Sequence, residues 1–259
     1  MSQPLSVSLE EKIIVVTGAG RGIGKAMAMT LAEAGGTLAI VSRTREEIER
    51  TAQQIRDAGG TAYAYPADVR DAFQMEDLAS RIQSRFGQVD VLVHSAGFHG
   101  GLLIKPILET SEEEWDMILD TNLKGTFLCA RAFGRHMVKR RQGKIILVGS
   151  IIGVRPFPNR IPYAVSKAAV MHLTRALAME WAPYNVLVNC VAPNSFERPE
   201  PDPAVDNEER RRTRSARIPL GRLGELHEMT PLIVFMASDL STYMTGETVV
   251  LDGGESVRA

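Results

Sequence analysis

The sequence predicts an α/β fold: one domain over residues 1–259, built on a doubly wound, central parallel sheet of about seven strands flanked by helices. Two observations predict it. Short, almost wholly apolar runs rich in β-branched residues alternate along the chain with segments of helical periodicity. The first such run ends in a cluster of glycines that leads directly into a helix.

In chain order, residues 12–17 (KIIVVT) read as a strand covered on both faces. Gly18, Gly20, Gly22 and Gly24 follow, then a helix stopped by Gly35-Gly36. Glycines there let the backbone approach a phosphate closely, and the free amides of the helix start offer donors and a partial positive charge. The spacing Gly18-x-x-x-Gly22-x-Gly24 differs from the Gly-x-Gly-x-x-Gly dinucleotide fingerprint, so the turn taken alone is a moderate signal. The alternation continues with strands at 37–41, 61–65 and 89–94 and helices at 46–58 and 73–86. A long helix is expected over 111–139, then a strand from Lys144 to Ser150, a loop, and a helix carrying Tyr163 to Trp181. Strands at 186–192 and 248–251 and a helix at 226–237 complete the pattern. Ligands of such sheets bind outside the carboxyl ends of the strands, which collects the glycine turn, the loop after His94 and Ser150 at one edge.

Residues 194–218 depart in composition, being rich in proline, acid and arginine, and read as a substrate-side lid. Asp206, Glu208 and Glu209 precede Arg210, Arg211, Arg212, Arg214 and Arg217, an order that complements a helix dipole and allows Asp206/Arg210 and Glu208/Arg212 pairs. A solvated helix and an anion-attracting lid for a carboxylate or phosphate substrate both fit.

A net charge of -1 with no basic tract argues against nucleic acid or an anionic membrane as partner. Without a signal-peptide pattern or an apolar run near membrane length, the expectation is a soluble, cytoplasmic protein acting on small molecules. Cys129 and Cys190 lie in apolar stretches and are expected as buried free thiols. The five histidines lack metal-ligand spacing, so no metal site is expected.

The chemistry is carried by Ser150, Tyr163 and Lys167. Four residues advance a helix by about 6 Å and roughly one turn, so Tyr163 and Lys167 share a face. A free phenol titrates near pH 10, and an adjacent cation pushes it toward neutral acid-base work. Ser150 would offer its hydroxyl to a carbonyl or alkoxide oxygen. A Tyr-x-x-x-Lys pair by itself is weak.

Taken as a set, these residues resemble the short-chain dehydrogenase/reductases from about Glu10 to Gly254. Thr17-Gly18-Ala19-Gly20-Arg21-Gly22-Ile23-Gly24 resembles the family's phosphate turn, Asp68-Val69 its adenine-contacting pair and Asn122 its helix asparagine, with Ser150, Tyr163 and Lys167 in the family's order. The resemblance implies a Rossmann domain, Tyr163 as the acid-base residue, Ser150 holding the substrate oxygen, Lys167 lowering the tyrosine pKa and binding the nicotinamide ribose, and Asn122 holding a relay water. It implies cofactor contacts from Gly18, Gly20, Arg21, Gly22, Ile23, Gly24, Ser42, Arg43, Asp68, Val69, Ser95, Ala96, Gly97, Tyr163, Lys167 and Pro193. A homotetramer (or homodimer) packed through the 111–139 and Tyr163 helices is implied too. NADP(H) is favoured over NAD(H), because the position after the second strand reads Ser42-Arg43, with no acid for the ribose 2′-hydroxyl and with Arg21 and Arg43 able to pair a 2′-phosphate.

Three positions depart from the family. His94-Ser95-Ala96-Gly97 replaces Asn-Asn-Ala-Gly, Asn194 replaces a glycine, asparagine being next after glycine in its tolerance of left-handed geometry, and Arg198 replaces a threonine. The expected function is hydride transfer between NADP(H) and a ketone or secondary alcohol, in general character closest to 3-oxoacyl-[acyl-carrier-protein] reductases. The alternative is an NADP(H)-binding regulatory protein with little catalysis. Nucleotide-sugar epimerisation would need a larger substrate domain. The expected pocket wall comprises Phe98, His99, Ile152, Val154, Phe157, Asn159 and Phe196; Arg140 and Arg141 would help attract an acidic carrier protein.

Overall fold

The computed structural model describes residues 7–98, 104–197 and 207–258; the expectations for His99, Arg198 and Asp206 lie outside them. Seven strands, β1 (Ile13–Thr17), β2 (Thr37–Ser42), β3 (Thr61–Pro66), β4 (Val91–His94), β5 (Gly143–Val148), β6 (Val186–Pro193) and β7 (Thr248–Leu251), form one sheet in the order β3-β2-β1-β4-β5-β6-β7. Every pairing is parallel. The chain winds outward from β1 to β3, then crosses to β4 and winds the other way. The switch point between β1 and β4 opens a crevice at their carboxyl ends.

Continuous apolar strands follow from a sheet covered on both faces. In β1, Ile14 and Val16 join a core with Met27, Leu31, Ile48 and Ile233, whereas Val15 joins Leu78, Ile82, Phe133 and Val170 on the other side. The first core is supplied by helices α1 (Gly22–Glu33), α2 (Arg45–Asp57) and α9 (Leu226–Ala237), the second by α3 (Ala72–Phe86), α5 (Gly125–Arg140) and α7 (Ile161–Trp181). Each fully buried aliphatic side chain contributes roughly 2 kcal/mol.

Two expected elements differ. The helix expected over 111–139 is α4 (Glu112–Leu119), a π-helical turn (Asp120–Lys124) and α5. A capping box between Ser111 and Glu114 starts α4, and the π turn widens the helix at the buried Asn122. Strand β5 ends at Val148, and Ser150 caps a short helix α6 (Ile151–Val154), its Oγ accepting from the Ile152 amide at 3.3 Å. That serine is therefore held by a cap rather than ending a strand.

The arginines expected to attract a carrier protein are committed at the amino end of the sheet, opposite the crevice. Arg140 pairs with Asp90 at 3.0 Å and donates to the Val89 carbonyl, and Arg141 ends α5 in left-handed backbone and donates to the Pro183 carbonyl. Cys129 and Cys190 are buried free thiols. Among the described residues no helix is long and apolar enough to cross a membrane, and no group of His, Cys, Asp and Glu could hold a metal.

Candidate functional site

The site begins at the end of β1. Gly18 has φ 71°, and a Cβ there would lie 2.8 Å from the Cα and amide nitrogen of Ala96. At Gly24 a Cβ would run into the Gly18 carbonyl. The turn therefore folds tightly against itself and the loop after β4, as a strand-turn-helix cradle requires. Helix α1 starts with Arg21 as its N-cap, with no side chain bonded to its first amides and no acid in its first turn. Those donors, Ile23 among them, are left for an anion such as a dinucleotide pyrophosphate.

At the end of β2, Ser42 Oγ donates to the Thr44 carbonyl at 3.3 Å, and Arg43 is exposed. Asp68 is gripped by Arg70 at 2.6 Å, and that guanidinium, with a further pull from Arg43, holds its carboxyl below the usual range. Val69 is turned inward onto Gly125. A carboxylate that the Ser42-Arg43 argument overlooked is also present. Glu47 Oε2 lies 2.7 Å, and Ser42 Oγ 3.3 Å, from where a Cβ on Gly20 would sit. Its sequence signal was an acid in the first turn of α2, five positions after Ser42.

The loop Ser95-Ala96-Gly97 bridges this cradle to the chemistry. Ser95 and Ala96 donate their amides to the carbonyl and Oγ1 of Thr17, and Thr17 Oγ1 lies 2.9 Å from His94 Nδ1. His94 is buried with Nε2 unpartnered, and burial, reinforced by the Lys167 charge, drops its pKa to about 3, so the ring is neutral. The histidine thus holds the loop through Thr17. A Cβ on Gly97 would lie 3.3 Å from Asn122 Oδ1 and 3.5 Å from Lys167 Nζ. Asn122 clamps the far end of the loop, accepting from the Phe98 amide at 2.6 Å and donating to the Phe98 carbonyl and to Ser166 Oγ. Both amide hydrogens are thereby used within the protein.

Helix α7 brings Tyr163 and Lys167 to this place. Lys167 Nζ donates to the Val148 carbonyl at 2.8 Å and lies 5.8 Å from the Tyr163 ring centroid. Burial lowers Lys167 to about 8, with Cys190 opposing. The half-buried Tyr163 phenol is pushed up by burial and pulled back by hydrogen bonding to Ser150 and by the charge of Arg160. Lys167 stays within 5.8 Å of the phenol ring while its ammonium donates to the Val148 carbonyl. Arg160, three residues before the tyrosine, is a further cation whose charge reaches the phenol; its i,i+3 spacing was the available signal.

Beyond the tyrosine, Pro193 ends β6, buried and in register with Leu251. Asn194 does not use left-handed backbone. Its Nδ2 instead donates to Glu255 at 2.7 Å and to the Asp252 carbonyl, tying the start of the 194–218 segment to the C-terminal turn. Helix α8 (Glu208–Ser215) forms with Asn207 as its cap. The expected Glu208/Arg212 pair is not formed, as exposed pairs gain little in water; Arg211 reaches Glu197 at 2.5 Å and Arg217 reaches Glu255 at 3.4 Å. Of the expected pocket wall, Ile152 is buried and Phe196 packs on Gly224, whereas Val154 and Asn159 are exposed and Phe157 lies under Arg217 at 5.1 Å.

Residues 18–256 match the family model described as Enoyl-(Acyl carrier protein) reductase. The chain is 35% identical over 246 residues to the 3-oxoacyl-[acyl-carrier-protein] reductase FabG of Thermotoga maritima, covering 95% of this chain and 98% of that one. It is 36% identical to the galactitol 2-dehydrogenase of Rhizobium johnstonii over 98% of both chains. Its structure superposes with TM-score 0.91, at 33% identity and 98% coverage of both chains, on a gluconate 5-dehydrogenase from Burkholderia cenocepacia in complex with NADP and tartrate.

Proposed function

Because this chain belongs to the short-chain dehydrogenase/reductase family of oxidoreductases, we propose that it transfers a hydride between NADP(H) and a ketone or secondary alcohol. The nicotinamide cofactor supplies and accepts that hydride. The chain's own residues bind, orient and move the proton. The glycine turn Gly18–Gly24 and the open start of α1 hold the pyrophosphate, Asp68 and Val69 border the adenine, and Ser95, Ala96, Gly97 and Pro193 line the nicotinamide side. Lys167, at about 8 and so largely protonated near neutrality, donates to ribose hydroxyls. Tyr163, raised by burial, keeps its proton at neutral pH, the state needed to protonate a carbonyl oxygen as hydride arrives. Ser150, fixed by its cap, holds that oxygen. Asn122 spends its side chain on Phe98 and Ser166, so its part in a proton relay is to hold the loop and α7 in register.

The observation that carries this reading is the convergence of Ser150, Arg160 and Lys167 on Tyr163 beside the loop that touches the glycine turn. Its test is Tyr163→Phe. NADPH oxidation with a ketone panel is expected to fall by at least about a thousandfold, with the cofactor-induced thermal shift retained. Unchanged turnover would sink the assignment; cofactor binding with no turnover in the wild type would favour the regulatory reading.

Arg21 and Arg43, without an acid at Ser42, support NADP(H). Glu47 beside Gly20 is the observation that favours NAD(H), since a carboxylate there repels a 2′-phosphate. Residues 194–218 are read as a substrate-side lid of a single domain, tied down through Asn194, Arg211 and Arg217. Exposed Phe127 on α5 and Ile161 and Val165 on α7 support a homotetramer or homodimer; a monomer in sedimentation velocity would overturn that reading. A cytoplasmic location agrees with these proposals.

A further inference from the structure

We infer that the C-terminal turn Asp252–Arg258, acting through the buried carboxylate of Glu255, is the clasp that sets α8 over the substrate side of the site, which makes Glu255 a positioning residue for the substrate; the inference rests on the oxidoreductase and lid readings above.

Helix α8 cannot hold its own place. Its sequence, EERRRTRS, carries no apolar side chain, none of its residues is buried, and eight residues are too few for a helix to persist alone in water. Polar contacts fasten it, and those at its carboxyl end lead to one turn. Ala216, the C-cap of α8, accepts at its carbonyl from Arg258 at 2.8 Å, Arg217 Nε lies 3.4 Å from Glu255 Oε1, and the Leu220 amide donates to the Gly253 carbonyl at 3.2 Å.

The turn is braced from within and grips the other side of the site as well. Asp252 accepts from the Gly254 and Ser256 amides at 2.8 and 2.6 Å, and Gly253 and Gly254 supply the φ of 62° and 91° that the reversal needs. Arg155, the C-cap of α6, donates to the Glu255 and Arg258 carbonyls at 2.9 and 2.8 Å. Because α6 is a single turn, about 6 Å long, with Ser150 as its N-cap, the clasp and the serine hold opposite ends of one short element. Asn194, directly after Pro193, donates to Glu255 Oε2 at 2.7 Å. The end of α6, the end of β6 and the end of α8 therefore meet on this turn.

Glu255 is the member whose chemistry demands partners. It is 3% exposed, and a buried carboxylate is tolerated only where its oxygens are compensated. Oε2 has the Asn194 amide; Oε1 makes no hydrogen bond among the described residues and faces the Arg217 charge. Keeping α8 in place thus compensates the carboxylate, and the carboxylate in turn keeps α8 in place. Neutralising it frees the lid while Asn194 stays bonded. A freed lid holds substrate less well, whereas Tyr163 and Ser150 keep their geometry, so the loss falls on KM rather than on kcat.

The test is Glu255→Gln, which retains an acceptor for Asn194 and removes the charge facing Arg217. Amide exchange of the cofactor-free protein, followed by mass spectrometry, is expected to be about fivefold to tenfold faster across 208–217, with peptides of β1, β4 and β5 changed by less than about twofold. NADPH oxidation is measured with ethyl acetoacetate, acetoin or cyclohexanone, whichever the wild type reduces. The variant should show a ketone KM raised about fivefold to twentyfold, kcat within about threefold and an NADPH KM within about twofold. Arg217→Met should act in the same direction, and the double variant should be no worse than either single variant by more than about twofold. A residue serving stability alone would lower the active fraction, and with it kcat at unchanged KM; that pattern, or exchange across 208–217 equal to the wild type's, overturns the inference. Failure of the wild type to oxidise NADPH with any of the three ketones, alongside faster exchange confined to 208–217 in the variant, counts against the reductase reading and leaves the clasp standing.

Discussion

Replacing Lys167 with methionine should make the cofactor-free protein more stable at neutral pH while removing its activity. Lys167 is 6% exposed, and its pKa is lowered from 10.5 to about 8 by burial. A base whose folded pKa lies below its unfolded value binds its proton less well when folded, so charged Lys167 opposes folding. The penalty is full below about pH 8, falls through the window from 8 to 10.5, and is gone above it. Two to three units correspond to about 3 kcal/mol. Methionine fills similar volume without charge, but the Val148 carbonyl loses its donor, at a cost of about 1 kcal/mol. The net expectation is a gain of about 2 kcal/mol at pH 7, or roughly 4 °C in Tm for a chain of this size. The assay is urea or thermal unfolding of wild type and Lys167→Met without cofactor at pH 7, 8.5 and 10, where titrations common to both cancel. The difference should shrink as pH rises and fall to about zero by pH 10, where the remaining charge penalty matches the lost hydrogen bond of about 1 kcal/mol. A mutant less stable at pH 7, or a difference independent of pH, would refute the reasoning, because the lysine would then not carry a buried-charge penalty.

Two further outcomes follow from neighbouring residues. His94→Asn should leave stability at pH 7 within about 1 kcal/mol but make the protein about 2 kcal/mol more acid-resistant than wild type at pH 5, since the buried imidazole, with a pKa near 3, must otherwise be left uncharged while the unfolded chain takes up a proton below about 6.5; equal acid sensitivity in denaturant titrations at the two pH values would show that His94 opens to solvent. Glu47→Gln should raise the preference for NADP(H) over NAD(H) by about tenfold in kcat/KM, and an unchanged ratio would place the 2′-phosphate away from Gly20.

The sheet was legible because a parallel sheet covered on both faces needs continuous β-branched runs, and Ile13–Thr17 or Val186–Pro193 announce themselves whatever packs on them. The glycine turn was equally legible, since the close approaches at Gly18 and Gly24 admit no side chain. Interruptions were harder. The π turn at Asn122 lies inside a segment whose apolar periodicity reads as one helix, and it is bought by side-chain bonds to Phe98 and Ser166 from elsewhere in the chain. The short helix after Ser150 is too brief to leave a periodic signal.

By itself, then, the sequence determined the doubly wound sheet, the cradle at its carboxyl edge and the identity of the Ser150, Tyr163 and Lys167 side chains there, because local backbone preference and one-dimensional spacing carry that information. Only the tertiary structure decided their surroundings: that Lys167 bonds to the Val148 carbonyl, that the Arg160 charge reaches Tyr163, and that Glu47 reaches Gly20. Charges act through space with a strength set by distance and burial, and neither quantity is written along the chain.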